Sequence, residues 1–231
     1  MLQTLVLTGA NRGIGLELTR LFVASHDWFV HACCRRPDDA DALRQLAGDH
    51  PDRIAIHALD VTDAGSVADL AAATGAAPVD LLLNNAGILN PHQTLDDLDF
   101  DAWEQELRVN TIAPMRMALA LRANLRQAAN PRIVTISSQM GSLARPKGGA
   151  YAYRSSKAAV NKVTQGLAVD LAGDGICVVA MHPGWVRTNM GGPEAEIEPI
   201  ESAQGIFAVV TGLTRADTGR FLTWDGREHA W

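Results

Sequence analysis

Short apolar runs alternate along the chain with longer segments in which apolar residues recur at helical spacing. Six runs rich in β-branched residues and leucine predict strands: 4–8, 29–33, 54–58, 81–84, 132–136 and 176–181. Five segments that carry Ala, Leu, Arg and Glu at helical spacing predict helices: 14–26, 38–48, 63–74, 100–129 and 150–172. A helix at 200–210 and a short strand at 220–223 complete this alternating α/β pattern.

The predicted strands are nearly continuous apolar segments, which is typical of a sheet covered by helices on both faces. Repeated strand–helix–strand units require right-handed crossovers and therefore a parallel sheet. No linker rich in Pro or Ser divides the sequence. We therefore predict one Rossmann-type domain over 1–231, a doubly wound α/β fold with a central parallel sheet of about seven strands.

Two local features of the sequence carry their own predictions. Pro114 lacks a backbone N–H and crowds the preceding turn, so it should kink the helix at 100–129. The segment 190–199 is rich in Gly, Pro and Glu and should form a surface loop.

Composition excludes several classes of function. The 231 residues are 47% apolar and 20% charged, as in ordinary globular proteins. The net charge is −6 with scattered Lys and Arg, which argues against nucleic-acid binding. No apolar run is long enough to span a membrane, and the run at 1–7 is too short for a signal peptide. Three cysteines and seven histidines lack metal-ligand spacing, so we expect a cytoplasmic protein without a metal site.

A glycine-rich turn, Thr8-Gly9-Ala10-Asn11-Arg12-Gly13-Ile14-Gly15, directly follows the first predicted strand. Glycines allow a sharp turn and a close approach of pyrophosphate to the backbone. The N-terminus of the next helix then offers free N–H groups to the phosphates. A glycine turn without a ligand is the alternative, but its position after the first strand favours a dinucleotide site.

The end of the second predicted strand, Cys33-Cys34-Arg35-Arg36, bears on the choice of cofactor. It lacks the Asp or Glu that usually meets a free ribose 2′-hydroxyl. Arginine suits a 2′-phosphate, and Arg12 offers a second cation from the glycine turn. Alternatively, Arg35 and Arg36 only solvate the start of a loop. We predict NADP(H) in preference to NAD(H).

Tyr153 and Lys157 lie one helical turn apart on one face of a predicted helix. A phenol titrates near pH 10, and a neighbouring cation lowers its pKa toward the range useful for acid–base catalysis. Ser137 and Ser138 follow a central strand, at the edge where open α/β sheets bind ligands. A serine there can donate a hydrogen bond to a developing alkoxide. Each motif alone also fits an ordinary structural role, a half-buried tyrosine or a serine turn.

Taken in order, these motifs resemble the short-chain dehydrogenases/reductases over essentially the whole chain. The resemblance rests on the glycine turn, Asn84-Asn85-Ala86-Gly87, Asn110, Ser138, Tyr153 with Lys157, and Pro183-Gly184. Four local stretches are similar to sniffer-type carbonyl reductases and C-factor-like proteins: 10–13, 151–154, 182–186 and 225–228.

The resemblance implies roles for the matching residues. Tyr153 would be the acid–base, and Lys157 would bind the nicotinamide ribose and lower the pKa of the tyrosine. Ser138 would polarise the carbonyl, and Asn110 would hold a water connected to Lys157. Together with Tyr153 and Lys157, the implied cofactor-binding residues are Gly9, Asn11, Arg12, Gly13, Ile14, Gly15, Arg35, Asp60, Val61, Asn85, Ala86, Gly87, Pro183, Val186 and Thr188.

The expected activity is NADP-dependent reduction of a carbonyl compound to an alcohol, or the reverse reaction. A C-factor-like signalling protein that acts by cofactor occupancy is the alternative. The resemblance also implies a homodimer or homotetramer formed through the helices at 100–129 and 150–172. Five residues would border an apolar substrate pocket, although packing roles fit them equally: His92, Met140, Leu143, Trp185 and Met190.

Overall fold

The computed structural model describes residues 2–231, and its centre is a sheet of seven parallel strands. The strands are β1 (Gln3–Thr8), β2 (Trp28–Cys34), β3 (Ile54–Ala58), β4 (Leu81–Asn84), β5 (Arg132–Ile136), β6 (Cys177–His182) and β7 (Phe221–Thr223). Their order across the sheet is β3-β2-β1-β4-β5-β6-β7. The predicted parallel sheet of about seven strands is confirmed.

The helices are α1 (Gly13–Ala24), α2 (Asp41–Asp49), α3 (Ala64–Thr74), α4 (Phe100–Leu107), α5 (Ala113–Ala120), α6 (Arg122–Leu125), α7 (Tyr151–Asp170) and α8 (Pro199–Gly212). They cover both faces of the sheet. Leu5 and Leu7 of β1 pack in the cluster that includes residues of α1 and α8, whereas Val6 packs in the opposite cluster with residues of α5 and α7. Alternate side chains of one strand therefore serve two cores, which explains the continuous apolar runs.

The chain winds outward from β1 in one direction and, after a crossover, from β4 in the other. Leu5 pairs with Val30 of β2 on one side and with Leu81 of β4 on the other. The strand order reverses between β1 and β4, and ligands of open α/β sheets bind in the crevice at that point. The fold therefore indicates a ligand site at the carboxyl ends of β1, β4, β5 and β6.

The single helix predicted over 100–129 is wrong. The segment is divided into α4, a π-helical turn at Arg108–Ile112, α5 and α6. The π-helical turn lies just before Pro114, which lacks the N–H that would close an α-helical bond to the Asn110 carbonyl oxygen. A second break follows at Leu121, where φ and ψ are −101° and 4°.

The remaining expectations concern segments outside the central sheet. The surface loop expected at 190–199 contains turns, one bridge that pairs Ile197 with Val186, and the first residue of α8, Pro199. Within residues 2–231, no helix combines the length and apolar character needed to cross a membrane. In the same range, no group of three His, Cys, Asp or Glu side chains is placed to hold a metal ion.

Candidate active site

The turn between β1 and α1 requires glycine for steric reasons. Gly9 and Gly13 have φ values of +69° and +53°, in the left-handed region that side chains disfavour. A Cβ on Gly15 would lie 2.1 Å from the Gly9 carbonyl oxygen, and one on Gly9 would lie 3.0 Å from the Ala86 Cα. Glycine therefore lets this turn pack closely against itself and against the segment that follows β4.

Hydrogen bonds join the glycine turn to the segment that follows β4. Thr8 Oγ1 accepts from the backbone N–H groups of Asn85 and Ala86, both at 3.0 Å. Asn85 Nδ2 donates to the carbonyl oxygens of Thr8 and Gly9, at 3.0 and 3.2 Å. These bonds fix the two walls of the crevice relative to each other.

The first turn of α1 leaves its N–H groups available to an anion. No side chain caps the helix at Arg12, and no acidic residue occurs in the first turn. Thr188 stands opposite, since a Cβ on Gly13 would lie 3.2 Å from its Cγ2. The structure thus brings together the predicted glycine turn and the predicted segment at 183–188 across one groove.

Two arginines near this groove remain without acidic partners in the described part of the chain. Arg12 and Arg35 are exposed and form no ion pair there, whereas Arg36 Nε lies 3.0 Å from Asp39 Oδ2. Asp60, which follows β3, accepts hydrogen bonds from the hydroxyl and N–H of Thr62, and these bonds lower its pKa. Of the two arginines that follow β2, Arg35 is the one without an ion pair in the described residues.

Ser138, Tyr153 and Lys157 meet at the carboxyl end of β5. Ser138 Oγ accepts from the Met140 N–H at 3.1 Å, and Ser138 lines the same cavity as the buried Tyr153. Lys157 Nζ donates to the Ile136 carbonyl oxygen at 2.8 Å and lies 5.7 Å from the Tyr153 ring centroid. The three predicted catalytic side chains are therefore neighbours.

The electrostatic environment keeps the Tyr153 proton in place. Burial, together with the charge of Glu106, raises the pKa of Tyr153 to about 12, although the bond to Ser138 opposes this. Burial lowers the pKa of Lys157 to about 8. The direction of the Tyr153 pKa shift is opposite to the lowering expected from Lys157, because burial of the phenol is the largest cause. At neutral pH the phenol is thus in its proton-donating form.

Asn110 connects the π-helical turn to both sides of the site. Its Oδ1 accepts from Ile88 N–H at 2.9 Å, and its Nδ2 donates to the Ile88 carbonyl oxygen and to Ser156 Oγ at 2.8 and 3.0 Å. A Cβ on Gly87 would lie 3.3 Å from Asn110 Oδ1 and 3.6 Å from Lys157 Nζ. Asn110 therefore holds the segment after β4 close to the lysine.

A buried carboxylate that the sequence analysis missed lies behind Tyr153. Glu106 is fully buried, and its Oε1 accepts from Asn90 N–H and Gln93 Nε2, both at 2.6 Å. Gln93 Oε1 in turn accepts from the Tyr153 N–H at 2.9 Å. Burial raises the pKa of Glu106. The only sequence feature that pointed to Glu106 as a site residue was its position one helical turn before Asn110, on the same face.

Ser138 and Tyr153 open into a cavity of about 150 Å³, bordered also by Pro183, Val186 and Thr188. Met140, Trp185 and Met190 line it as expected. Leu143 and His92 do not, so that part of the prediction is wrong: Leu143 is 85% exposed, and His92 pairs with Asp97 at 3.2 Å.

Comparison with known proteins extends the likeness beyond the motifs. The family model described as short chain dehydrogenase matches residues 3–198. The chain is 41% identical over 155 residues to the protein named C-signal of Myxococcus xanthus, an alignment that covers 67% of this chain and 93% of that protein.

Solved structures give the same picture. An NADPH-bound carbonyl reductase from chicken fatty liver aligns with a TM-score of 0.94 and 36% identity, over 100% of this chain and 99% of the other. The carbonyl reductase Sniffer of D. melanogaster aligns with a TM-score of 0.94 and 32% identity, over 100% of both chains. The arrangement of strands around the crevice is therefore shared with these reductases.

Proposed function

Because the chain belongs to the short-chain dehydrogenase/reductase family and is an oxidoreductase, we propose that it uses NADP(H) to reduce a carbonyl compound to an alcohol, or performs the reverse reaction. The observation that carries this proposal is the meeting of Ser138, Tyr153 and Lys157 beside a cavity at the carboxyl edge of the sheet. Residues 1–231 would act as one oxidoreductase domain.

The residues around the crevice fit a nicotinamide dinucleotide. Gly9 and Gly15 let the turn pack against itself and against the segment after β4, and a turn of this kind would present its backbone to a pyrophosphate. The uncapped start of α1 offers its N–H groups to that pyrophosphate. When bound, NADPH supplies the hydride that reduces the substrate carbon.

The remaining predicted contacts would hold the other parts of the cofactor. Asp60 and Val61 lie after β3 for the adenine, and Lys157 would hold the nicotinamide ribose beside Asn85, Ala86 and Gly87. Pro183, Val186 and Thr188 would flank the nicotinamide. They border the same cavity as Ile14, which belongs to the first turn of α1.

The chain's own residues would carry the proton chemistry. The Ser138 hydroxyl would donate a hydrogen bond to the carbonyl oxygen, and Tyr153 would deliver its proton to that oxygen as negative charge develops. Because the Tyr153 pKa is raised, the phenol holds its proton at neutral pH until the substrate oxygen becomes more basic. A water held at Asn110 and connected to Lys157 would restore the proton.

NADPH is expected to bind more tightly than NADH because Arg35 would pair with the 2′-phosphate. Arg35→Asp should cancel this preference by weakening NADPH binding about 10- to 100-fold. The reason is that a hydrogen bond to a charged group contributes about 1.5–3 kcal/mol. Fluorescence titration with both cofactors measures the effect. Arg36→Asp is the matched control, because Arg36 already pairs with Asp39. Equal dissociation constants for the two cofactors in the unaltered protein would contradict the prediction.

We also propose that two or four copies associate through α4, α5 and α7. Large apolar side chains stand exposed on these helices: Phe100 is 68%, Leu119 55% and Val169 75% exposed. Self-complementary pairing of one such patch gives a closed dimer. Light scattering should give a multiple of the chain mass, and a mass of 24.7 kDa at micromolar concentration would reject association.

Three free, buried cysteines support a cytoplasmic location.

The likeness to C-signal keeps a second candidate function open, a nucleotide-binding signalling protein that acts by cofactor occupancy. The two functions differ in turnover. NADPH oxidation with a panel of aldehydes, ketones and quinones distinguishes them. Consumption of NADPH that depends on the carbonyl compound supports the reductase, and tight binding of NADPH without consumption supports the second candidate.

A further inference from the structure

A second cavity, of about 570 Å³, adjoins the one that contains Ser138 and Tyr153. Gln139, Met140 and Trp185 line both cavities, so the two share a wall. The outer cavity is otherwise lined by Pro146 and by three basic residues: Arg145, Lys147 and Arg154. These three residues are called the basic cluster below.

The basic cluster lacks the acidic partners that most cations have elsewhere on this protein. In residues 2–231, eleven ion pairs are present, and none involves Arg145, Lys147 or Arg154. The whole chain has a net charge of −6. Three unpaired cations at one cavity of an acidic protein therefore create a local field that attracts anions.

Neutral acceptors hold the two arginines in place without neutralising them. Arg154 Nε donates to the Gly149 carbonyl oxygen at 3.0 Å, and Arg145 donates to Gln139 Oε1. The Arg154 Nη groups make no hydrogen bond within the described residues, so they remain available to a ligand. Guanidinium groups with free N–H donors suit carboxylate and phosphate oxygens.

The basic cluster and the catalytic residues are tied to the same elements. Arg154 follows Tyr153 directly in α7, and Arg145 and Lys147 lie on the segment that leads from Ser138 to that helix. Met140 and Trp185 stand where the two cavities meet, and the indole is held by a 2.8 Å hydrogen bond from Trp185 Nε1 to the Gly191 carbonyl oxygen. An apolar stretch thus separates the proton donor from the cations.

We infer that the substrate is an anionic carbonyl compound, in which an apolar spacer joins the reacting carbonyl to a carboxylate or phosphate bound by the basic cluster. The inference rests on the proposed function, since it takes the carbonyl to lie at Ser138 and Tyr153. It revises the expectation of an apolar substrate: only the spacer is apolar. Arg12 and Arg35 stand beside the glycine turn and β2, and neither lines these cavities.

Matched aldehydes test the inference. We compare kcat/KM with NADPH for 4-carboxybenzaldehyde, for 4-formylphenyl phosphate and for methyl 4-formylbenzoate, a neutral analogue of the first. The unaltered protein should favour at least one anion over the ester by about 10-fold or more. The preferred anion identifies the group that the cluster binds. Raising the ionic strength from about 0.01 M to about 1 M should reduce this ratio, because the screening length falls from about 30 Å to about 3 Å.

Variants assign the effect to the basic cluster. Arg145→Gln, Lys147→Gln and Arg154→Gln should each lower the ratio of anion to ester, and the triple variant should bring it close to one. Lys162→Gln removes the same charge from the exposed side of α7 and should leave the ratio unchanged. A ratio near one in the unaltered protein, or a high ratio that survives in the triple variant, would overturn the inference.

Calorimetry keeps the inference separate from the proposed function. If none of the three aldehydes is reduced, titration of the NADPH complex with 4-carboxybenzyl alcohol tests whether the basic cluster binds an anion. The proposed function fails only if the wider panel of aldehydes, ketones and quinones is not reduced either. Binding that is lost in the triple variant supports an anion site. Absence of binding to the unaltered protein, or equal binding to the triple variant, overturns it.

Discussion

Replacing Tyr153 by phenylalanine is expected to lower turnover by about 10²–10⁴-fold or more, the usual loss when a general acid is removed. The ring and its packing remain, because only the phenolic oxygen is lost. The Tyr153 backbone N–H still donates to Gln93, so the start of α7 keeps its contact with the Glu106 region. Fold and NADPH affinity should therefore be preserved while proton delivery is lost.

Stopped-flow NADPH oxidation with one active carbonyl substrate, together with a melting curve, measures this effect. The only other tyrosine, Tyr151, lies in the same helical turn and supplies the matched control, Tyr151→Phe. Ser138→Ala should lower the rate by about 10²-fold or more, since it removes a donor to the developing oxyanion. A Tyr153→Phe protein that folds, binds NADPH and turns over at nearly the original rate would show that the assigned mechanism is wrong.

Replacing Lys157 by methionine is expected to weaken both cofactor binding and catalysis. Methionine has about the same length but no charge, so the ribose would lose a charged partner, a loss of about 10- to 100-fold in NADPH affinity. Turnover should also fall by about 10²-fold or more, because the proton path to Tyr153 is broken. Lys162→Met, on the exposed side of the same helix, is the control.

The pH dependence of NADPH affinity tests the same lysine in the unaltered protein. Burial lowers the pKa of Lys157 to about 8, so its positive charge is present below that pH and lost above it. Above about pH 7, where the 2′-phosphate is largely doubly ionised, affinity should therefore fall as the pH rises through about 8. Lys157→Met should lack this step. An unaltered step in the variant, or none in the unaltered protein, would contradict the role given to Lys157.

The sequence predicted the strands well because both faces of the sheet are buried. In β4 and β5, adjacent residues such as Leu81 and Leu82 face opposite cores, so each strand is one continuous apolar run with clear ends. The π-helical turn at Arg108–Ile112 was not predicted. Pro114 indicated a kink, but the contacts of Asn110 with Ile88 and Ser156, which are distant in sequence, form only in the folded chain.

The candidate site was predicted in part. The sequence predicted Ser138, Tyr153 and Lys157 as site residues because of their positions. Ser138 follows the end of a predicted strand, and Tyr153 and Lys157 lie one helical turn apart. The raised pKa of Tyr153 was not predicted, because it results from burial, which arises only in the folded chain. Glu106 acts through Gln93, a loop residue without a periodic signal. The basic cluster likewise forms only when the segment after Ser138 meets Trp185 around one cavity.

Coupling between NADPH consumption and alcohol formation tests the proposed reaction most directly. The unaltered protein is incubated with NADPH and a panel of aldehydes and ketones, and the oxidised cofactor and the alcohol are both quantified. A carbonyl reductase forms one alcohol for each NADPH oxidised, with at least one compound of the panel. A protein that binds NADPH tightly, yet oxidises none of it and forms no alcohol with any of the compounds, would contradict the proposed function.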